Sequence, residues 1–178
     1  MDAAGLALET LRFSHTVLEL RVDRCDPTKL FLTRPGSGVA SPGAIYAHCV
    51  FDEDHAIAEL AGAPPLFAAR SWRQRFSFEP KTWLDPEWAA QLSYDLDEFR
   101  RYAQAVYDRT SAVLGSMSAA DLAKPVKNYE VIRTGGRVEY REREMPATFH
   151  LLDVVAMHTA EHSGEIAILT NLGGDAAV

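Results

Sequence analysis

The segment "VVAMHTAEHSGEIAIL", Val154 to Leu169, sets His158 and His162 four residues apart. Four residues make about one helical turn, so the two imidazoles share one face of a helix. On the water side they would be ordinary surface histidines. Turned inward, two uncharged imidazoles need partners, either hydrogen bonds or a divalent cation that takes imidazole nitrogen as a ligand. Glu165 follows on the same segment. A third ligand must come from elsewhere, and "SPGAIYAHCVFDEDH" offers His48 and His55. His48 stands about one turn before Asp52, so both can face one cavity. His55 has a similar phase but lies two turns on, roughly 10 Å along the axis, so a single site does not use both. Helical phase alone does not choose between them. Cys49 adjoins His48 but points about 100° away, which makes it a small buried hydrophobe rather than a fourth ligand.

A uniform advance of about 100° per residue from His158 puts His162 near +40°, Glu165 near −20°, and Leu151, Val154, Val155, Leu169 and Leu172 within about 60°. Ala156, Ala160, Ser163, Gly164 and Ala167 fall opposite. The projection predicts that both histidines and Glu165 face the interior. The strip of small residues invites close approach by a neighbouring helix of the same bundle or of a second subunit.

Four long helices must position these groups. The first is expected over about Ala4–Val22, with Leu6, Leu8, Leu11, Phe13, Val17, Leu18 and Leu20 forming a broad apolar face. It also carries His15, read as a surface or hydrogen-bonded histidine. Ser41 followed by Pro42 is a helix start, a hydroxyl N-cap before proline at the first position. That second helix should stop by Gly62 or by Pro64-Pro65. A long connection bears Trp72, Trp83 and Trp88, read as packing over the bundle. Its "RSWRQRF" patch reads as a solvated loop or helix end. "SYDLDEFRRYAQAVYDRTSAVLGSM" supplies a third apolar stripe, with Tyr102 expected, like Tyr46, to keep its hydroxyl at a boundary. Gly135-Gly136 between runs of valine, isoleucine and tyrosine predicts a hairpin. A fourth helix follows Pro146 and ends near Gly173-Gly174. These elements predict a single-domain helical bundle over 1–178.

The chain has 18 basic and 25 acidic side chains and a net charge of −7. That balance argues against a nucleic-acid backbone as partner. No apolar run of about 18 residues suggests a membrane span. The N-terminus lacks the plan of a signal peptide, and Cys25 and Cys49 have no paired spacing. A cytoplasmic protein is the expectation.

With helix order and motifs together, the chain resembles the DinB-like superfamily, also called the YfiT-like metal-dependent hydrolases. "SPGAIYAHCVFDEDH" and "HTAEHSGEIAIL" carry the resemblance, which extends over most of the chain, hairpin included. It implies an all-α, up-down-down-up four-helix bundle with a small β-hairpin before the last helix, and metal ligands at His48, His158 and His162. Many members carry glutamine where this chain has Glu165. The glutamate would be an acceptor for a histidine N–H, an additional ligand or a proton acceptor; the alternative is an interhelix pair with an arginine. Asp52 would act similarly behind the ligands, or be an ordinary polar helix position. Three histidines leave coordination positions open, and an open divalent site lowers the pKa of a bound thiol or water. Imidazole suits zinc or nickel first and iron as well. By resemblance, the activity would be an S-transferase or isomerase using a low-molecular-weight thiol and an electrophile. The alternatives are a metal-dependent hydrolase using hydroxide, or a metal- or ligand-binding bundle without turnover. Relatives are often homodimers, which implies a dimer.

Overall fold

The computed structural model describes residues 3–33, 39–81, 84–134 and 137–172; Trp83, Gly135-Gly136 and Gly173-Gly174 lie outside them. Four long helices form the bundle: α1 (Ala3–Asp23), α2 (Pro42–Ala61), α3 (Leu96–Ser116) and α4 (His158–Leu172). Their relative directions follow from the residues that meet. His15 of α1 meets Glu53 of α2 while Glu19 meets Tyr46, so α1 and α2 run oppositely. Tyr46 packs on Phe99 and Glu53 bonds Thr110, so α2 and α3 run the same way. His48 meets His158, so α2 passes α4; Leu11 clusters with Leu151 and Val155 while Cys25 bonds Thr170, so α4 runs the same way as α1. The bundle is up-down-down-up.

Local chemistry sets the ends of α2. Ser41 Oγ accepts the Ala44 N–H at 3.2 Å, and Pro42 opens the first turn. Gly62 closes it in the left-handed conformation, φ 60°, which glycine adopts without steric cost. Gly43 is required by contact. A Cβ there would meet the Phe31 ring at 2.5 Å, and the Gly43 N–H donates to Leu30 O at 2.7 Å. The turn after α1 therefore lies directly against the start of α2.

The core is aromatic between α2, α3 and the long connection. Phe51, Phe67, Phe76, Phe99 and Tyr102 are buried and in mutual contact, and Trp72 and Trp88 pack against them. The hydroxyls of Tyr46 and Tyr102 do not sit at a boundary. Both rings are fully buried and donate to carboxylates, Tyr46 to Glu19 at 2.6 Å and Tyr102 to Asp54 at 2.7 Å. Asp54 also accepts the N–H groups of Leu66 and Phe67, tying the connection to α2. In the "RSWRQRF" patch, Arg73 pairs with Glu79 and Arg75 with Glu98 at the surface.

The broad apolar face expected on α1 is narrower in the fold. Leu11 and Leu18 are buried, but Leu6, Phe13 and Leu20 are exposed. The hairpin pairs Pro125–Thr134 with Arg137–Pro146, ten residues on each side. A short helix, Ala147–His150, then leads into a π-helical stretch, Leu151–Met157, before α4 begins at His158.

His150 stands at that junction, buried with neither ring nitrogen hydrogen-bonded among the described residues. Burial pulls its pKa below the ordinary 6.5, against the opposing pull of Glu59 and Asp153. A depressed folded-state value means that its stabilising preference for the neutral form is full above about 6.5 and is lost as pH falls through the folded value. His150→Leu should therefore raise the urea midpoint at pH 7, by about 1 kcal/mol of stability. It should also lose less stability than the wild type between pH 7 and pH 5. A steeper acid loss in the variant would contradict the assignment.

Candidate metal centre

His48 comes from the second turn of α2, and His158 and His162 from the first turns of α4. Their Nε2 atoms converge. His158 Nε2 is 3.0 Å from His48 Nε2 and 3.0 Å from His162 Nε2, and the three ligand atoms all lie within 4.8 Å of one another. His55 lies on a similar phase but is exposed. Level along the bundle, not phase, selects His48.

The cluster fits a cation better than a hydrogen-bonded trio. A single imidazole nitrogen is either donor or acceptor, along one direction in its ring plane. His158 Nε2 faces two others at equal distance and cannot serve both. A tetrahedral ion with Zn–N near 2.05 Å would space its nitrogens by about 3.3 Å, so the two spacings to His158 need only a few tenths of an ångström of adjustment, and His48 and His162 stand within 4.8 Å of each other. The rings cross nearly edge to face, at 80–85°. Burial, with the neighbouring imidazoles, lowers His48 to about 3 and His158 to about 4. Both therefore present bare nitrogen lone pairs at neutral pH.

Two carboxylates stand behind the ring nitrogens. Glu165 Oε2 is 2.7 Å from His162 Nδ1, so the ring donates N–H there and turns its Nε2 lone pair to the cluster. Its ion-pair partner among the described residues is this histidine, not an arginine. Asp52 Oδ2 is 3.7 Å from both His48 Nε2 and His158 Nδ1, and burial raises its pKa to about 8. Cys49 is buried, and burial pushes its thiol well up.

A model of the DinB superfamily matches residues 10–166. The chain belongs to the DinB superfamily. No curated protein matches it. A crystal structure described as the conserved protein of locus from Enterococcus faecalis superposes with a TM-score of 0.73, over 96% of this chain and 98% of that one. At 18% identity that likeness is one of fold.

In this DinB protein the α4 projection needs correction. Ser163 and Ala156, expected on the outer side, are buried, together with Thr159 and Ile166. His158 and His162 sit at the edge of that buried face, with 27% and 14% of their side chains exposed, and Glu165 is 52% exposed. Angles within α4 hold, and the packing of α1 and α2 places its inner side near Thr159, Ser163 and Ile166. The π-helical stretch 151–157 changes only the phase of the residues before His158, such as Leu151 and Val155, that had aimed the projection at the histidines. The site is therefore a half-open rim, not a sealed core.

Sequence reasoning also passed over Glu53. It is buried, accepts the His15 N–H at 2.7 Å and the Thr110 hydroxyl at 2.5 Å. The signal was present: Tyr46, Val50, Glu53 and Ile57 follow one apolar stripe. His15 stacks on Tyr107 at 3.8 Å and lines a cavity of about 730 Å³ between α1 and α3. That cavity is on the other side of the bundle from the three histidines.

Proposed function

We propose that His48, His158 and His162 hold a divalent cation, zinc or nickel foremost, and that the protein uses it to transfer a low-molecular-weight thiol to an electrophile. The observation that carries this reading is the convergence of three Nε2 atoms, from two helices, at a half-open rim. A cation bound there would be a Lewis acid favouring the deprotonated form of a thiol or water near neutral pH.

The chain's own residues do the rest. Glu165 holds the Nδ1 proton of His162, which orients the ring and strengthens its other nitrogen as a donor. Asp52, whose burial favours the protonated carboxyl near neutral pH, lies beside His48 and His158, where a bound cation would favour the carboxylate that can accept a proton from an incoming thiol. The exposed edges of His158 and Glu165 mark the side from which a small molecule enters. This chemistry belongs to a thiol-rich cytoplasm, where the buried free thiols of Cys25 and Cys49 would also remain reduced.

The test is an assay of zinc- and nickel-loaded protein with bacillithiol, mycothiol or glutathione and a chromogenic halide. A thiol-dependent adduct, lost in His158→Ala, is the expected outcome. No adduct with any of the three thiols rejects thiol transfer, and water-dependent turnover in its place makes the protein a hydrolase. Activity that survives His158→Ala removes the cation from the reaction.

Glu165 gives a graded prediction. Glu165→Ala should weaken zinc binding about 10-fold, the lower end of the range for such partners because the carboxylate is half-exposed. Glu165→Gln, which keeps an acceptor for the His162 N–H, should recover most of that loss. Competition against a zinc-sensitive dye reads both.

A further inference from the structure

The cavity between α1 and α3 has no part in the thiol chemistry. At about 730 Å³ it has the size of a small-molecule site. The two helices run oppositely, so Asp23 pairs with Arg100 at one end and His15 stacks on Tyr107 towards the other. Eight residues separate Asp23 from His15 on α1, and eight separate Arg100 from Asp108 on α3. On either helix that is about 12 Å along the axis.

The charges around it do not cancel. Glu19, Asp23 and Asp108 line the cavity against Arg12 and Arg100. Arg12 is held at 2.8 Å by Glu9, which stands outside the lining. Arg100 pairs with Asp23 and lies 3.6 Å from Glu19, so one cation answers two acids. Asp108 accepts the Gln104 amide at 2.9 Å and has no cationic partner among the described residues. Two negative charges are left over, one shared by Glu19 and Asp23 and one on Asp108.

The floor adds acceptors. Glu19 Oε1 takes the hydroxyls of Tyr46 and Tyr107, at 2.6 and 3.0 Å, which leaves Oε2 for a ligand. His15 is 8% exposed and gives its Nε2 proton to Glu53. Its Nδ1 has no partner among the described residues and is open to the cavity. A neutral imidazole that donates through one nitrogen presents a lone pair at the other.

We infer that this cavity binds a linear aliphatic polyamine. One terminal ammonium sits between Asp108 and His15 Nδ1, the other beside Asp23, and an inner amine meets Glu19. Leu20, 42% exposed on the cavity wall, packs against the methylenes. A stretched triamine such as spermidine spans the distance between the two ends, whereas a single ammonium answers only one of them. An anion would meet uncancelled carboxylates, because both arginines are already engaged. The net charge of −7 draws polycations toward the protein in the first place. The three histidines lie across the bundle, so failure of this inference leaves thiol transfer untouched.

Isothermal titration of the full chain with spermidine, at pH 8 and an ionic strength of about 0.15 M, should show one saturable site. Putrescine, too short to join the ends, should bind more weakly, and butylamine more weakly still. Asp108→Asn should weaken spermidine binding about five-fold, the upper end for an exposed ion pair. Leu20→Trp fills the cavity without changing its charge and should remove the site. Both variants should keep the helical circular dichroism and zinc affinity of the wild type. In side-chain nitrogen NMR, spermidine should shift His15 Nδ1 and leave His48 in place. No saturable spermidine binding below about 1 mM overturns the inference. So does equal binding of butylamine, or binding unchanged in Asp108→Asn and Leu20→Trp, which marks general attraction to an acidic surface. Saturable binding of inorganic phosphate instead makes the cavity an anion site and overturns it as well.

Discussion

Zinc should bind His158→Ala two to three orders of magnitude more weakly than it binds the wild-type protein. His158 Nε2 is the nitrogen 3.0 Å from each of the other two, so its loss opens the centre of the cluster. Structural zinc sites release about 10–16 kcal/mol over four ligands, or about 2.5–4 kcal/mol per ligand, which is a factor of about 10²–10³. The fold should tolerate the change. His158 is neutral, partly exposed, and its Nδ1 makes no hydrogen bond among the described residues, so truncation strands no charge. His55→Ala is the control and should leave affinity unchanged, because that ring is exposed two turns away. Competition titrations at pH 7.4 read both variants. Equal affinities for the wild type and His158→Ala would place the cation elsewhere.

The second large effect is on stability and lies on the other side of α2. Glu53→Ala should cost about 3–5 kcal/mol, from two buried side-chain hydrogen bonds lost, their partners left unsatisfied and a void opened. Glu53 is 2% exposed and binds His15 and Thr110 together. Its removal leaves His15 without its partner and opens a void among α1, α2 and α3. Against a typical total of about 5–15 kcal/mol, that loss is large enough to unfold part of the population at 37 °C. His15→Ala in the same background should cost less than it does alone, since the two side chains act as a unit. Urea unfolding of the four members of the cycle measures the coupling. A sum of independent effects would show that the pair contributes nothing beyond its separate parts.

Both predictions touch groups on α2, His48 in the first and Glu53 in the second, and they show where sequence reasoning reached. Ser41, Pro42 and Gly62 bound that helix in sequence and in the fold, because capping acts over three or four residues. The one-turn spacing of His158 and His162 holds for the same reason. The phase of Glu53 was equally readable, yet an acid on an apolar stripe has meaning only once His15 and Thr110 are brought to it.

The amino-acid sequence determined the four helices, the hairpin, and the pairing of two imidazoles on one turn, since each rests on backbone hydrogen bonds between near neighbours. Tertiary structure decided the rest. It chose His48 over His55, because the level at which α2 passes α4 is set by packing between residues about 110 apart in the chain. It set the inner side of α4 at Thr159, Ser163 and Ile166, which leaves the histidines at a rim, and it left Leu6, Phe13 and Leu20 facing outward. Periodicity tells which residues share a side of a helix. Only the neighbours that pack against it tell which side is inside.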